Sequence, residues 1–300
     1  MSEFVNTNGK KALLIGVGGI GSNVYLSELR IAGYDITTVD NVNPADHTDI
    51  DDVTGTFDIA IICVPNYLHV PFANKIASYC KTVFVEKPGA PSADQWNELC
   101  DRNPKTRFIM CKNNLYRSTY GFLDNVSSVS DITGIKINWL NKNRIPNPGF
   151  WSTNKRHAWG GVALDLFPHL YCQMIKNFGD YSRFERVNHT MMQKWNLENI
   201  GDSNYGPVNK DGVFDVCDFA TERWILDGKI LVEVTASWKE GIDDQSVVVQ
   251  TVDSTYKWDF GLCPADAYGK MIEAGQTEDY DVHRQVDTWI HKNLEVYHEG

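Results

Sequence analysis

KALLIGVGGIG, residues 11–21, runs from a short apolar segment straight into glycines. That is the pattern of a buried strand ending in a tight loop that opens a helix. Behind it, Ser22 to Ala32 reads as a helix closed by Gly33, and Ile36 to Val39 as a second strand ending at Asp40. A βαβ unit with G-x-G-x-x-G in its first loop suits a dinucleotide for a mechanical reason. Gly16 permits the tight turn, Gly18 lets backbone approach a pyrophosphate, and Gly21 lets helix and strand pack closely. Gly19 and Ile20 lie where the helix N-terminus turns its N–H groups toward the phosphates. Asp40, nineteen residues past Gly21, can accept hydrogen bonds from the adenine ribose hydroxyls and repel a 2′-phosphate, so NAD is expected, with NADP as the alternative. The other reading of Asp40 is that it simply begins the polar loop that follows.

Outward from this unit the alternation continues. Asp58 to Val64 is a continuous apolar run of the kind a strand buried on both faces needs. Val70 to Cys80 is helical in pattern, Thr82 to Val85 a fourth strand, Ala93 to Asn103 a helix and Arg107 to Cys111 a fifth strand. Strand and helix in such regular order predict a doubly wound parallel sheet, an α/β fold. Residues 41–57 are too few and too polar for the helix expected after the second strand. After a predicted helix at Tyr120 to Ser128, the pattern changes to long strand-like stretches at 134–140, 184–195, 218–226, 229–238, 246–252 and 255–260. Asp227-Gly228 between two of them is a two-residue hairpin signal. The expected organisation is residues 1–118 as a dinucleotide-binding domain and 119–300 as a mainly antiparallel substrate-binding and oligomerisation domain, with a closing helix near Val282 to Leu294.

Composition narrows the function classes. The chain has 300 residues, of which 42% are hydrophobic and 22% charged, which suffices for a core without staples. A formal charge of −11 with no Lys/Arg-rich stripe disfavours nucleic-acid and anionic-lipid partners. No window approaches eighteen consecutive apolar residues, and the N-terminal apolar run is too short for a signal segment. Seven cysteines (63, 80, 100, 111, 172, 217 and 263), odd in number and never spaced C-x-x-C, fit a reducing compartment. The expectation is a cytoplasmic protein without a structural metal.

Two turns carry a resemblance: Cys63-Val-Pro65-Asn66-Tyr-Leu-His69 after the third strand and Val85-Glu86-Lys87-Pro88-Gly89 after the fourth. A third block, Gly160-Gly161-Val-Ala-Leu-Asp165-Leu-Phe-Pro-His169, adds to it. Together they resemble the glucose-fructose oxidoreductase / inositol dehydrogenase (Gfo/Idh/MocA) family over nearly the whole chain. The resemblance implies an N-terminal Rossmann domain and a C-terminal α+β domain with an open-faced sheet. It implies that Lys87 stands beside the nicotinamide and hydrogen-bonds the reacting oxygen, with Asp165 and His169 completing the catalytic group. Pro65, Asn66, His69, Glu86 and Lys87 would line the cofactor groove. Asn113 and Tyr116 match the family's segment after the fifth strand only loosely and are candidates for substrate contact.

Chemistry supports the same assignment. Removing hydride from an alcohol carbon must be coupled to removing the proton from its oxygen. Lysine can polarise that oxygen, and histidine can take the proton near neutral pH. Four residues apart on a helix, Asp165 and His169 share a face, although Pro168 threatens that spacing. Trp151, Lys155, His157 and Trp159 form either a loop lining a sugar pocket or a surface loop whose tryptophans cover the core. The expected activity is hydride transfer between nicotinamide and a hydroxyl or carbonyl carbon of a sugar, polyol or sugar derivative. The alternatives are a glycosidase or lyase using bound NAD transiently, and a non-catalytic dinucleotide-binding regulator. A sheet as large as that of residues 134–260 cannot be covered on both faces by helices, so a homo-oligomer, dimer or tetramer, is expected.

Overall fold

The computed structural model describes residues 9–117, 131–262 and 266–298. The helix expected at 120–128 and Cys263 lie outside them. The chain divides into two compact units. One contains the residues up to Asn113 together with Tyr268–Glu295; the other contains Asn114–Ala267 and the residues from Val296 on. Two expectations are corrected by this division. The boundary falls at Asn113 rather than at residue 118, and the closing helix belongs with the N-terminal unit rather than with the second.

The first unit is a five-stranded parallel sheet of β1 (Lys11–Ile15), β2 (Asp35–Val39), β3 (Phe57–Ile62), β4 (Cys80–Val85) and β5 (Arg107–Met110), in the order β2-β1-β3-β4-β5. Its central strands are buried on both faces, which is why they read as unbroken apolar runs. Helix α1 (Leu26–Ile31) is entered through a wider π-helical turn, Gly21–Tyr25, in which Leu26 N–H reaches back to the Gly21 carbonyl. Helices α2 (His69–Ile76) and α3 (Ala93–Arg102) follow β3 and β4. Ser92 caps α3, its hydroxyl accepting from Gln95 N–H at 3.1 Å. No α-helix lies between β2 and β3, only a 3-10 turn at Ile50–Asp52, as the polar 41–57 segment predicts. The strand order reverses between β1 and β3, and a ligand crevice is expected at such a switch point.

The second unit holds β6 (Ile132–Leu140), α4 (Lys155–Ala158), α5 (Val162–Phe178), β7 (Phe184–Met192), β8 (Phe219–Leu226), β9 (Ile230–Ser237), β10 (Asp244–Thr251) and β11 (Thr255–Asp259). The strands form one sheet in the order β11-β10-β6-β9-β8-β7. Four of its five pairings are antiparallel, and β6 pairs β9 in parallel. Asp227 (φ 53°) and Gly228 (φ 70°) both take the left-handed conformation that the two-residue β8–β9 hairpin requires. α5 packs on β6, β8 and β9.

Helices α6 (Ala267–Thr277) and α7 (Tyr280–Leu294) complete the secondary structure, α6 having given no clear sequence signal. α7 is tied to the parallel sheet by polar groups taken wholly out of water. Asp287 pairs with Lys112, both side chains buried, and its other oxygen accepts from Met110 N–H at 3.0 Å. Lys112 Nζ also donates to the Met110 carbonyl at 3.0 Å. One turn on, His291 Nδ1–H donates to the Asp287 carbonyl at 2.6 Å, and Nε2 accepts from Ala90 N–H at 3.0 Å. Its ring stacks on Trp96 of α3 with centroids 4.9 Å apart. Glu295 then accepts from Ala93 N–H at 2.6 Å.

A buried ion pair is costly to break from one side, because the remaining charge is left without compensation. Lys112→Met should lower unfolding free energy by ~3–5 kcal/mol, whereas Lys112→Met combined with Asp287→Leu should recover much of that loss. Denaturant titration of the three proteins checks this, and a single variant as stable as wild type would contradict it.

Three buried histidines of this unit are held neutral. Burial pushes His69, His283 and His291 each down to about 4. An unfolded histidine takes its proton near pH 6.5, at about the model-peptide value. Between there and pH 4 the unfolded chain binds more protons, so stability falls as pH is lowered through that window. Asp287, lifted by burial to about 6 against the pull of Lys112, acts oppositely from pH 6 downward, but as one group against three. The melting temperature should therefore drop between pH 7 and pH 5; a flat profile there would count against neutral burial of these rings.

Candidate active site

The glycine loop divides into residues that face protein and residues that face open space. A Cβ on Gly16 would stand 2.3 Å from the Cys63 carbonyl oxygen, and one on Gly21 would stand 2.0 Å from the Gly16 oxygen. Those glycines are required by the fold. At Gly18 the nearest atom would be Asn43 Nδ2 at 3.6 Å, and at Gly19 nothing lies within 4 Å. The helix opens at Gly19 with half-buried Ile20 beside it, so its first N–H groups have no acceptor within the helix. Bare backbone and helix-terminal donors are what a dinucleotide pyrophosphate needs, and these residues fit it.

Asp40 is more occupied than the sequence implies. Its Oδ2 accepts from Val17 N–H at 2.8 Å, and its Oδ1 accepts from Val42 N–H at 2.8 Å and Asn43 N–H at 2.7 Å. Burial raises its pKa, but the donors from Asn43, Val42 and Val17 outweigh it and hold the carboxyl below its usual value. The ionised group therefore braces the glycine loop against the shortened loop after β2. Asp40 thus begins the polar loop and keeps a negative charge beside the glycines.

The two signature turns lie at the carboxyl ends of β3 and β4. Pro65 is half-buried and leads into the buried Asn66, which starts a 3-10 turn through Leu68. His69 is buried and its Nε2–H donates to the Val64 carbonyl at 2.9 Å, so it pins the turn from within. Glu86 is buried: its Oε1 accepts from Tyr25 OH at 2.6 Å and its Oε2 from Lys87 N–H at 3.1 Å. Gly89 N–H closes the turn onto the Glu86 carbonyl at 2.9 Å. Gly89 (φ 82°) has no room for a side chain, since a Cβ would meet His291 Nε2 at 2.8 Å. Lys87, half-buried, therefore leaves a turn fixed by Tyr25 on one side and by α7 on the other. Asn113 is buried in the 3-10 turn after β5, where Tyr116 is half-buried.

In the second unit, α5 is continuous from Val162 to Phe178 with Pro168 inside it, so the spacing of Asp165 and His169 stays helical. The glycine pair allows close packing rather than contact with a ligand. A Cβ on Gly161 would stand 1.9 Å from the Cys217 oxygen, and one on Gly160 2.6 Å from Leu164 Cδ1. From Val162 to Met174, Asp165 and His169 alone escape full burial. Asp165 Oδ2 accepts from Trp238 Nε1–H at 2.8 Å. His169 Nδ1 meets Asn114 Nδ2 at 2.9 Å, and its ring stacks on Trp139 with centroids 5.1 Å apart. Asn114, Trp139 and Trp238 are partners that sequence reasoning missed, because each lies far from α5 in the chain.

Asn154 caps α4 by accepting from Arg156 N–H at 3.0 Å, and Lys155 N–H donates to Asp215 at 2.8 Å. Trp151, Lys155 and His157 are half-buried. Trp159 is 9% exposed and sits in the left-handed conformation (φ 66°) that ends α4. Among the described residues, no three or more His, Cys, Asp or Glu side chains are grouped to hold a metal, and no helix is long and apolar enough to cross a membrane.

Residues 10–111 match the family model described as an oxidoreductase family with an NAD-binding Rossmann fold, GFO_IDH_MocA. A protein of Amycolatopsis mediterranei (strain S699) with the provisional name UDP-kanosamine synthase oxidoreductase subunit is 25% identical over 176 residues, 53% of this chain. The chain spans about half the length of that relative, 49%. Among solved structures, GenD2 from gentamicin A biosynthesis, in complex with NAD, superposes with a TM-score of 0.72 at 15% identity, covering 97% of this chain and 95% of that one. Levoglucosan dehydrogenase in complex with NADH and levoglucosan gives 0.69 at 15% identity, covering 96% and 97%. These likenesses show that both units have the fold of such proteins. Residues 10–111, which carry the glycine loop and both turns, thus match the NAD-binding Rossmann part of the Gfo/Idh/MocA oxidoreductases.

Proposed function

We propose that the protein transfers hydride between the nicotinamide of NAD(H) and a hydroxyl- or carbonyl-bearing carbon of a sugar, polyol or sugar derivative. The reading rests first on α5: in an otherwise buried helical stretch, an acid and an imidazole four residues apart are left accessible, each already held by a partner from another element. A helix that merely filled the core would have apolar residues at both positions. The names of the similar structures, which include a levoglucosan dehydrogenase bound to its sugar, favour a carbohydrate-like substrate. Bound NAD supplies the hydride acceptor or donor.

In this reading Gly18, Gly19 and Ile20 take the pyrophosphate, and Asp40 faces the adenine ribose. Pro65, Asn66 and the Glu86–Lys87 turn border the nicotinamide side. Lys87, Asp165 and His169 act on the substrate oxygen and its proton. Trp151, Lys155, His157 and Tyr116 are proposed as sugar contacts. With its Nε2–H donated to the Val64 carbonyl of its own turn, His69 is assigned to shaping the groove rather than to touching the cofactor.

A panel of aldoses, polyols, sugar acids and nucleotide sugars, assayed with NAD+ for NADH release, tests the proposal directly. On a substrate so found, Lys87→Ala and His169→Ala should each lower kcat by ~10²–10⁴-fold while leaving NAD affinity largely intact. Near-wild-type turnover in both would refute the catalytic assignment. The Asp40 charge should make NAD(H) bind more tightly than NADP(H) in calorimetry, and the reverse order would show that Asp40 does not face the ribose.

A further inference from the structure

A chain of three buried amides runs along α5 and ends on His169. His169, Gln173 and Asn177 are spaced four apart and share one face of the helix. The direction of the chain can be read from its backbone contacts, because a carbonyl oxygen only accepts. Asn177 Nδ2 lies 2.8 Å from the Gln173 carbonyl, so that atom is the amide nitrogen and must be the donor. It also lies 3.1 Å from the Gln173 side-chain oxygen, which is thereby the acceptor. Gln173 Nε2 is then left to donate to Asn114, to its carbonyl at 3.4 Å and its Oδ1 at 3.3 Å. With Oδ1 so engaged, the Asn114 amide presents Nδ2–H to His169 Nδ1 at 2.9 Å. Gln173, Asn114 and Asn177 are all buried, so water does not offer an easy exchange of roles.

We infer that this amide chain fixes His169 as the neutral tautomer with its proton on Nε2, making it a hydrogen-bond donor toward a substrate oxygen rather than the group that takes up the substrate's proton. Nδ1, the ring's acceptor nitrogen, is held by Asn114. Adding a proton there would set N–H against N–H and force the amide to turn, which would set its NH2 against Gln173 Nε2 and leave Gln173 only the Asn114 backbone carbonyl. Asn114 is thus a positioning residue that acts through His169, and Gln173 and Asn177 set its orientation. Trp139, stacked on the imidazole, fixes the plane of the ring. The role toward substrate rests on the proposed dehydrogenase reading; the tautomer does not.

Long-range proton–nitrogen NMR on protein labelled at the ring nitrogens of its eight histidines reads the tautomer without any substrate, and His169→Gln identifies the signals by their loss. The expected result at neutral pH is an unprotonated Nδ1 and a protonated Nε2 for His169. A protonated Nδ1 would overturn the inference while leaving the oxidoreductase reading intact, whereas failure to find any sugar substrate would leave the spectrum unchanged. Asn114→Asp places an obligatory acceptor against Nδ1, so it should move the proton to Nδ1 and, with substrate, lower kcat by ~10-fold or more, the factor lost for ~1.4 kcal/mol of barrier. If the proton stayed on Nε2 in that variant, Asn114 would not be what sets it. Should the variant fail to fold, the wild-type spectrum alone still decides the tautomer.

Discussion

Asp287 is a carboxylate without water. It has Lys112 on one oxygen and Met110 N–H on the other, and burial pushes its pKa up against both. Taking such a pair out of water is favourable only when the geometry satisfies every remaining donor and acceptor. The consequence is that α7 has one permitted position on the edge of the parallel sheet. From that position His291 reaches the Ala90 N–H and Glu295 reaches the Ala93 N–H, so the loop between β4 and α3 is fixed at both ends. The Lys87 turn depends on a helix two hundred residues away in sequence. Its other support, Tyr25 on Glu86, comes from the π-helical turn just behind the glycine loop. The groups assigned to the cofactor and the lysine assigned to chemistry thus share one scaffold, and their mutual geometry is set by buried hydrogen bonds rather than by loop stiffness.

The second unit solves the same problem with a different carboxylate. Glu222 of β8 is fully buried, accepting from Tyr171 OH at 2.8 Å, Tyr297 OH at 2.9 Å, Trp224 Nε1–H at 2.7 Å and Arg186 at 3.1 Å. Burial raises its pKa and these four donors lower it, with the net shift upward. Tyr171 belongs to α5, so this cluster holds the helix that carries Asp165 and His169 against the sheet. In both units a buried acid fixes a helix, and the side chains assigned to chemistry are borne on or beside that helix.

How much of this was legible depends on the range of the interaction. Apolar runs, Gly16 to Gly21, the Asp227-Gly228 hairpin and the missing helix after β2 are local patterns, and the structure repeats them. The pairing of β6 with β9 in parallel, the membership of α7 in the first unit and the partners of Glu222 are long-range choices with no local signal. Lys112 and Asp287 looked like two ordinary charges 175 residues apart; nothing in either neighbourhood says that they meet. An aromatic residue such as Trp159 in a glycine-rich segment suits a sugar pocket as well as a core, and nothing local in the sequence chooses between them. The amide chain on α5 was partly visible as polar residues at 173 and 177 in an apolar helix, yet its meaning depended on Asn114, which no spacing rule links to His169.

Asp40 shows how a shortened segment can add to the work of a residue. In the absence of a helix between β2 and β3, the loop after β2 needs another anchor, and the N–H groups of Val42 and Asn43 find it in the Asp40 carboxylate. The same group takes Val17 N–H, so the loop that would hold the pyrophosphate and the loop that would hold the adenine are joined through one side chain. Donors of this kind favour the charged form, and the lowered pKa keeps Asp40 ionised across the physiological range. A carboxylate already bonded to three backbone N–H groups still has its full negative charge, and repulsion of a 2′-phosphate requires only charge. Discrimination against NADP would therefore survive even if the ribose hydroxyls found the Asp40 oxygens already engaged, whereas an asparagine could keep much of the bracing and would lose the repulsion.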